Sequence, residues 1–147
     1  MSLDSIDRAA CTLNSSIPHP RVVFHNINSL TNYASSPKAH TRYNRAVRHI
    51  TSLTKTSDIV CLQETHAADG EKSALSLEFA QTHLIFYSNL RKDRAGVITL
   101  VSRRFASGYN ITQSPLDPSL DGRAIVLQFC SKHFPGNARS SFSCTNL

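Results

Sequence analysis

Two kinds of hydrophobic pattern divide the chain into a first half and a second half. In the first half, residues 21–27 and 57–63 are short apolar runs rich in β-branched residues, which predict strands. Between them, residues 39–54 place apolar side chains at helical spacing: Tyr43, Ala46, Val47, Ile50 and Leu53. A second helix is predicted over 71–82. Strand, helix and strand with a short return indicate a parallel or neighbouring pair of strands in a sheet covered by helices.

The second half consists of short strands separated by turn segments. Strands are predicted over 84–88, 97–102, 109–113, 124–129 and 142–146, with spacing typical of antiparallel pairing. The predicted fold class is therefore α/β, with a mixed, mostly antiparallel sheet and two helices on one face. Pro18 and Pro20 oppose a helix, so residues 1–20 are predicted to be an extended or disordered leader before a domain over 21–147.

Composition supports one packed domain with basic character. The 147 residues are 40% hydrophobic and 18% charged, and the formal net charge is +6. An excess of positive charge favours polyanionic partners such as nucleic acid, although a merely soluble basic protein has the same composition. Arg42, Arg45 and Arg48 lie off the apolar face of the first helix, and we expect this basic face to be a solvated surface rather than a binding stripe.

Targeting signals and cysteines indicate in which compartment the protein is expected and whether it binds structural zinc. No apolar run approaches the length of roughly 20 residues that a membrane span needs, and the sequence has no secretory signal. We therefore expect an intracellular protein, nuclear or cytoplasmic, that binds neither a membrane nor a stable protein partner. The four cysteines form no C-x-x-C pair, which argues against structural zinc. Cys61 is predicted to be a buried thiol. Cys130 and Cys144 could pair across a hairpin, but reduced thiols are expected.

Polar residues close both strands of the first half. Glu64 directly follows the apolar run of residues 59–63, and Asn26 closes the first strand. Ligands of α/β sheets bind at the carboxyl ends of strands, where a carboxylate can hold Mg²⁺. Asn28, two residues on from Asn26, is expected to point to the same side. Taken singly, an exposed glutamate or a turn asparagine would explain each position as well.

Three segments carry a family resemblance. HNINSL at 25–30, DIVCLQETH at 58–66 and RAGVITLVS at 94–102 resemble the endonuclease/exonuclease/phosphatase family. They look closest to the apurinic/apyrimidinic-like endonuclease domains of non-LTR retrotransposons. The resemblance implies a four-layer α/β sandwich and a phosphodiesterase dependent on Mg²⁺, with Mn²⁺ as an alternative. It also implies nucleic acid, DNA first of all, as the partner. It further implies that Glu64 binds the metal, that Asn26 contacts the scissile phosphate, that Asn28 lies near the metal, and that His66 lies beside the substrate.

Two blocks of that family are missing from the sequence. The family uses an Asp-x-Asn block to activate water and a Ser-Asp-His block to hold the phosphate, and neither occurs here. We therefore expect a truncated N-terminal half-domain that is inactive and lacks the second sheet over its inner face. The alternatives are a noncatalytic, basic, nucleic-acid-binding remnant of a mobile element, or a phosphatase of the same family acting on a small phosphoester.

Overall fold

The computed structural model describes residues 19–30, 37–67, 69–88, 96–133 and 139–145. Nearly all of the predicted leader, residues 1–18, lies outside this part. The described elements are the strands β1 (Val22–Asn26), β2 (Ile59–Gln63), β3 (His83–Tyr87), β4 (Ile98–Ser102), β5 (Tyr109–Gln113), β6 (Ala124–Ser131) and β7 (Arg139–Thr145), the helices α1 (Pro37–Thr56), α2 (Asp69–Phe79) and α3 (Arg103–Ala106), and a 3₁₀ turn, Pro118–Leu120.

The first sheet has the strand order β1-β2-β4-β3. β1 and β2, predicted to be a parallel or neighbouring pair, are both adjacent and parallel, with Val22 opposite Ile59 and Asn26 opposite Gln63. β4 runs antiparallel to both β2 and β3. β2 and β4 are central strands, and their apolar residues are buried on both faces. The α/β class and the mixed sheet are confirmed.

The outer face of this sheet is covered by α1 and α2. Their apolar faces pack with the outward residues of β2 and β4 in one buried cluster: Leu30, Tyr43, Val47, Ile50, Val60, Leu62, Ala67, Leu75, Phe79, Ile98 and Leu100. Burial of this face provides the stability that helix propensity alone would not supply to α1. α1 begins and ends two residues outside its predicted range of 39–54, whereas α2 ends before its predicted limit of 82.

A second sheet covers the inner face, so the prediction that this face lacks one is wrong. β5, β6 and β7 form an antiparallel meander. Alternate residues of β6 and β7, including Leu127, Phe129 and Phe142, pack against Ile59 and Val101 of the first sheet. Period-two alternation in the second half therefore builds a separate layer rather than an extension of the first sheet. The described residues form three layers: helices, first sheet and second sheet.

The cysteine pairing also differs from the prediction. Cys61 of β2 and Cys144 of β7 form a disulfide between the two sheets, with Cα atoms 6.1 Å apart, and both side chains are fully buried. Cys130 is a free, exposed cysteine. Cys130 and Cys144 cannot pair because they lie on opposite faces of the second sheet, Cys130 outward and Cys144 inward.

The strand directions give the sandwich two distinct ends. At the first, which we call the upper edge, β1, β2 and β7 end and β4 and β6 begin. At the other, the lower edge, β1 and β2 begin and β4 and β6 end. The short helix α3, which sequence patterns do not reveal because it has only four residues, follows β4 at the lower edge.

Candidate functional site at the upper edge

The carboxyl ends of β1 and β2 bring the predicted site residues into adjacent positions. Asn26 and Gln63 are register partners in the parallel ladder, and Glu64 is the next residue after Gln63. Asn26 and Asn28 are exposed, whereas Glu64 and His66 are partly buried. All four predicted site residues therefore lie on two neighbouring segments at one edge of the sheet.

Both segments leave the sheet through left-handed backbone conformations. The φ angles are 50° at Asn28, 80° at Ser29, 53° at Glu64 and 44° at His66. Asparagine adopts this region readily, but each of the other residues there costs about 1 kcal/mol or more. β1 ends at Asn26 and the backbone turns at Asn28, so strand alternation does not determine which side the Asn28 side chain faces.

Main-chain hydrogen bonds hold the two segments together beyond the strands. Ile27 N–H donates to Gln63 O at 3.0 Å, Ser29 N–H to Glu64 O at 2.8 Å, and Leu30 N–H to Thr65 O at 2.7 Å. Leu30 is 1% exposed and anchors its segment under α1. The left-handed residues keep the segments in register where a regular ladder has ended, and this fixes the Cα of Glu64.

Gly96 completes the support of Glu64 and is the residue that the sequence analysis missed. Its φ is 110°, a value that side chains rarely tolerate. Its carbonyl accepts from Thr65 N–H at 3.1 Å, and its own N–H donates to Gly122 O at 2.7 Å. Gly96 thereby joins the segment after β2 to the turn before β6. The available signal was the Ala-Gly-Val block itself, which places a glycine directly before a buried strand.

The side chains of the site are oriented by local hydrogen bonds. Glu64 Oε2 lies 3.0 Å from His66 Nε2, and the two side chains are 32% and 31% exposed. Asn26 Oδ1 accepts from Asn28 N–H at 2.9 Å, which leaves the Asn26 amide N–H groups directed elsewhere. Gln63 Nε2 donates to Thr145 O, so the residue before Glu64 links the first sheet to the second.

The donor set fits a magnesium ion that takes most of its ligands from water and phosphate. No group of three or more His, Cys, Asp or Glu side chains that could hold a metal ion occurs among the described residues. Mg²⁺, however, is commonly held through one or two carboxylates, with waters and substrate phosphates completing its shell. The described hydrogen bonds engage only Oε2 of Glu64, and its other oxygen is available in a partly exposed setting.

A cleft of about 440 Å³ also opens on the upper edge, where β3 and β5 end and β6 begins. Its described lining includes Tyr87, Gln113, Ser114, Leu120 and Asp121. None of its described lining residues is a lysine, arginine or histidine. The described walls of this cleft therefore supply no cation for a phosphate group.

Comparison with known proteins adds no family assignment: no family model and no curated protein matches this sequence. None of the helices in the described ranges is long and apolar enough to cross a membrane.

Proposed function

We propose that the chain carries the metal-binding part of a Mg²⁺-dependent phosphodiesterase domain that acts on nucleic acid, as its resemblance to the endonuclease/exonuclease/phosphatase family implies. The observation that carries the proposal is the pairing of Asn26 with Gln63 in a parallel register, which sets Glu64 beside the end of β1. The costly left-handed backbone at Glu64 and His66 supports it, because such conformations concentrate at functional sites.

Each side chain has a separate role in this proposal. Glu64 holds the metal through its carboxylate, and His66 orients that carboxylate through the 3.0 Å contact. Asn26, whose Oδ1 is engaged by Asn28 N–H, presents its amide N–H groups to a phosphate oxygen. When bound, Mg²⁺ neutralises phosphate charge and stabilises the leaving oxygen.

The chain by itself is proposed to bind metal without turning over substrate. It contains neither the Asp-x-Asn nor the Ser-Asp-His block, and general-base assistance alone accounts for a factor of roughly 10² to 10⁴ in rate. The proposed setting is intracellular, where nucleic acid substrates are found.

Paramagnetic broadening by Mn²⁺ in amide NMR spectra tests the metal site. We expect selective broadening at residues 26–29 and 64–66, lost in Glu64→Gln and reversed by excess Mg²⁺. Glu78→Gln is the matched control, because Glu78 is an exposed carboxylate on α2. Broadening that persists in Glu64→Gln would contradict the assignment of the metal to this residue.

Plasmid nicking in Mg²⁺ tests the second part of the proposal. The purified chain should leave supercoiled DNA intact over hours. Nicking that Glu64→Ala abolishes would retain the site but overturn the inference that this chain does not turn over substrate.

A further inference from the structure

Helix α1 carries a surface whose charges are all of one sign. Its sequence contains five lysines and arginines and no aspartate or glutamate: Lys38, Arg42, Arg45, Arg48 and Lys55. All five are exposed, and among the described residues none of them forms an ion pair. The opposite side of the helix, with Tyr43, Val47 and Ile50, is buried against the first sheet. These basic residues form what we call the basic face of α1.

Helix stability explains Lys55, a cation in the last turn, but not the rest of the basic face. Lys38 lies in the first turn, where a positive charge opposes the helix dipole, and that turn has no acidic residue. Repeated cations at three- and four-residue spacing repel one another, and no acid on the helix relieves the repulsion. Local propensity would favour a mixture of signs, so the charge pattern indicates an interaction outside the helix.

The position of α1 relative to β1 brings the first half of the basic face to the upper edge, the edge that carries the candidate site. The imidazole rings of His25 in β1 and His49 in α1 are 4.4 Å apart. Lys38 precedes His49 by eleven residues, which is about 16 Å of helix, whereas β1 continues only one residue beyond His25, about 3 Å. The first half of α1 therefore extends past the end of β1 at the upper edge.

Packing confirms this placement. Tyr43 of α1 belongs to the same buried cluster as Leu30 and Ala67, which lie on the two segments that carry the site. Arg42 and Arg45 flank Tyr43 in sequence and are exposed. They lie on the exposed side of α1, in the half of the helix nearer the upper edge.

We infer that the basic face of α1 is a docking track for the phosphate backbone of nucleic acid, beside the site at Glu64. The row from Lys38 to Arg48 spans about 15 Å, enough for several successive phosphates of a strand. A membrane surface fits less well, because the exposed large hydrophobic residues in the described ranges are Leu77 and Leu120, and neither lies on α1. The inference uses the proposed function only to name nucleic acid as the polyanion.

The test is a salt titration of binding to a fluorescent DNA duplex of random sequence. The variant R42Q/R45Q/R48Q removes three charges and retains good helix formers. Its matched control, R104Q/K132Q/R139Q, removes three exposed charges at the lower edge. Circular dichroism and thermal unfolding establish that both variants are folded.

The expected result is specific to α1. Loss of three phosphate contacts should reduce the slope of log K against log salt by about 3 and lower affinity at 0.1 M salt on the order of 100-fold. The control should keep both slope and affinity within about threefold. Equal losses in the two variants would show diffuse attraction by net charge and overturn the inference.

Two further measurements distinguish DNA from other polyanions, and the docking track from the proposed metal site. Binding of anionic lipid vesicles or polyglutamate more tightly than DNA, at equal charge concentration, would contradict a nucleic acid track. Glu64→Gln should abolish Mn²⁺ broadening while leaving the salt slope unchanged. The docking track and the metal site can thus fail independently.

Discussion

The upper and lower edges of the sandwich are built from the same strands but closed by different means. All six described residues with left-handed φ angles lie at the upper edge: Asn28, Ser29, Glu64, His66, Gly96 and Gly122. The loops there are joined to one another by main-chain hydrogen bonds. The combined free-energy cost of such backbone conformations is a substantial fraction of the about 5–15 kcal/mol by which an ordinary protein is stable.

The described connections at the lower edge use both side-chain and main-chain hydrogen bonds, and none of their described residues has a left-handed φ angle. Asp58 Oδ2 accepts from Arg21 N–H at 2.8 Å, and Arg103 Nε donates to Ala80 O at 2.8 Å. Ser102 N–H donates to Asp58 O at 2.8 Å. The described lower-edge connections join their elements without left-handed residues, so we interpret the strain at the upper edge as a means of placing particular residues.

The largest expected effect comes from glycine substitutions at the two edges. Gly96→Ala places a side chain at a φ of 110° and should reduce the free energy of unfolding by about 1–3 kcal/mol. Gly108→Ala at the lower edge is the control, since an added Cβ would meet only His133, at an ordinary 4.0 Å. It should be neutral or stabilising by up to about 1 kcal/mol.

Urea denaturation of both glycine variants gives the comparison directly. Equal destabilisation by the two alanines would show that the backbone is no more constrained at one edge than at the other. The role assigned to Gly96 would then be lost.

Two substitutions of Glu64, with a smaller expected effect on stability, distinguish backbone strain from the role of the carboxylate in metal binding. Glu64→Ala and Glu64→Gly both remove the carboxylate, and both should lose metal binding. Glycine tolerates the φ of 53°, so Glu64→Gly should be about 1 kcal/mol more stable than Glu64→Ala. Thermal unfolding of the two variants measures the difference, and a less stable glycine variant would argue against strain at this position.

The smallest expected effect is a dependence of stability on pH from one histidine near each edge. Burial lowers the pKa of His25, with a further contribution from His49, and burial and then Arg103 lower the pKa of His83. The folded protein therefore binds fewer protons than the unfolded chain just below pH 6.5. Each histidine therefore stabilises the folded protein above pH 6.5. This contribution is lost as the pH falls toward the pKa of that histidine in the folded protein.

Melting temperatures between pH 7.5 and pH 5 test the two histidines. The wild type should become less stable on acidification, and His25→Gln and His83→Gln should each make the profile flatter. A steeper profile in either variant would contradict the lowered pKa of that histidine.

Much of the fold could be predicted from residue patterns because the patterns record local burial. Two-sided apolar runs identified the central strands, and helical spacing identified α1 within two residues at each end. β7 was predicted only from residue 142, although it begins at Arg139. Its first three residues are Arg139, Ser140 and Ser141, and strand propensity alone does not reveal them.

For the candidate site, the sequence determined which residues close β1 and β2, because a carboxylate or amide after an apolar run must lie at a strand end. Tertiary structure alone decided how those ends are supported. Gly96 reaches Thr65, and Cys61 reaches Cys144 across 83 residues, through contacts that no local pattern contains. Backbone angles at Asn28 and Glu64 depend on those distant partners, because strained conformations persist only where surrounding hydrogen bonds and packing enforce them.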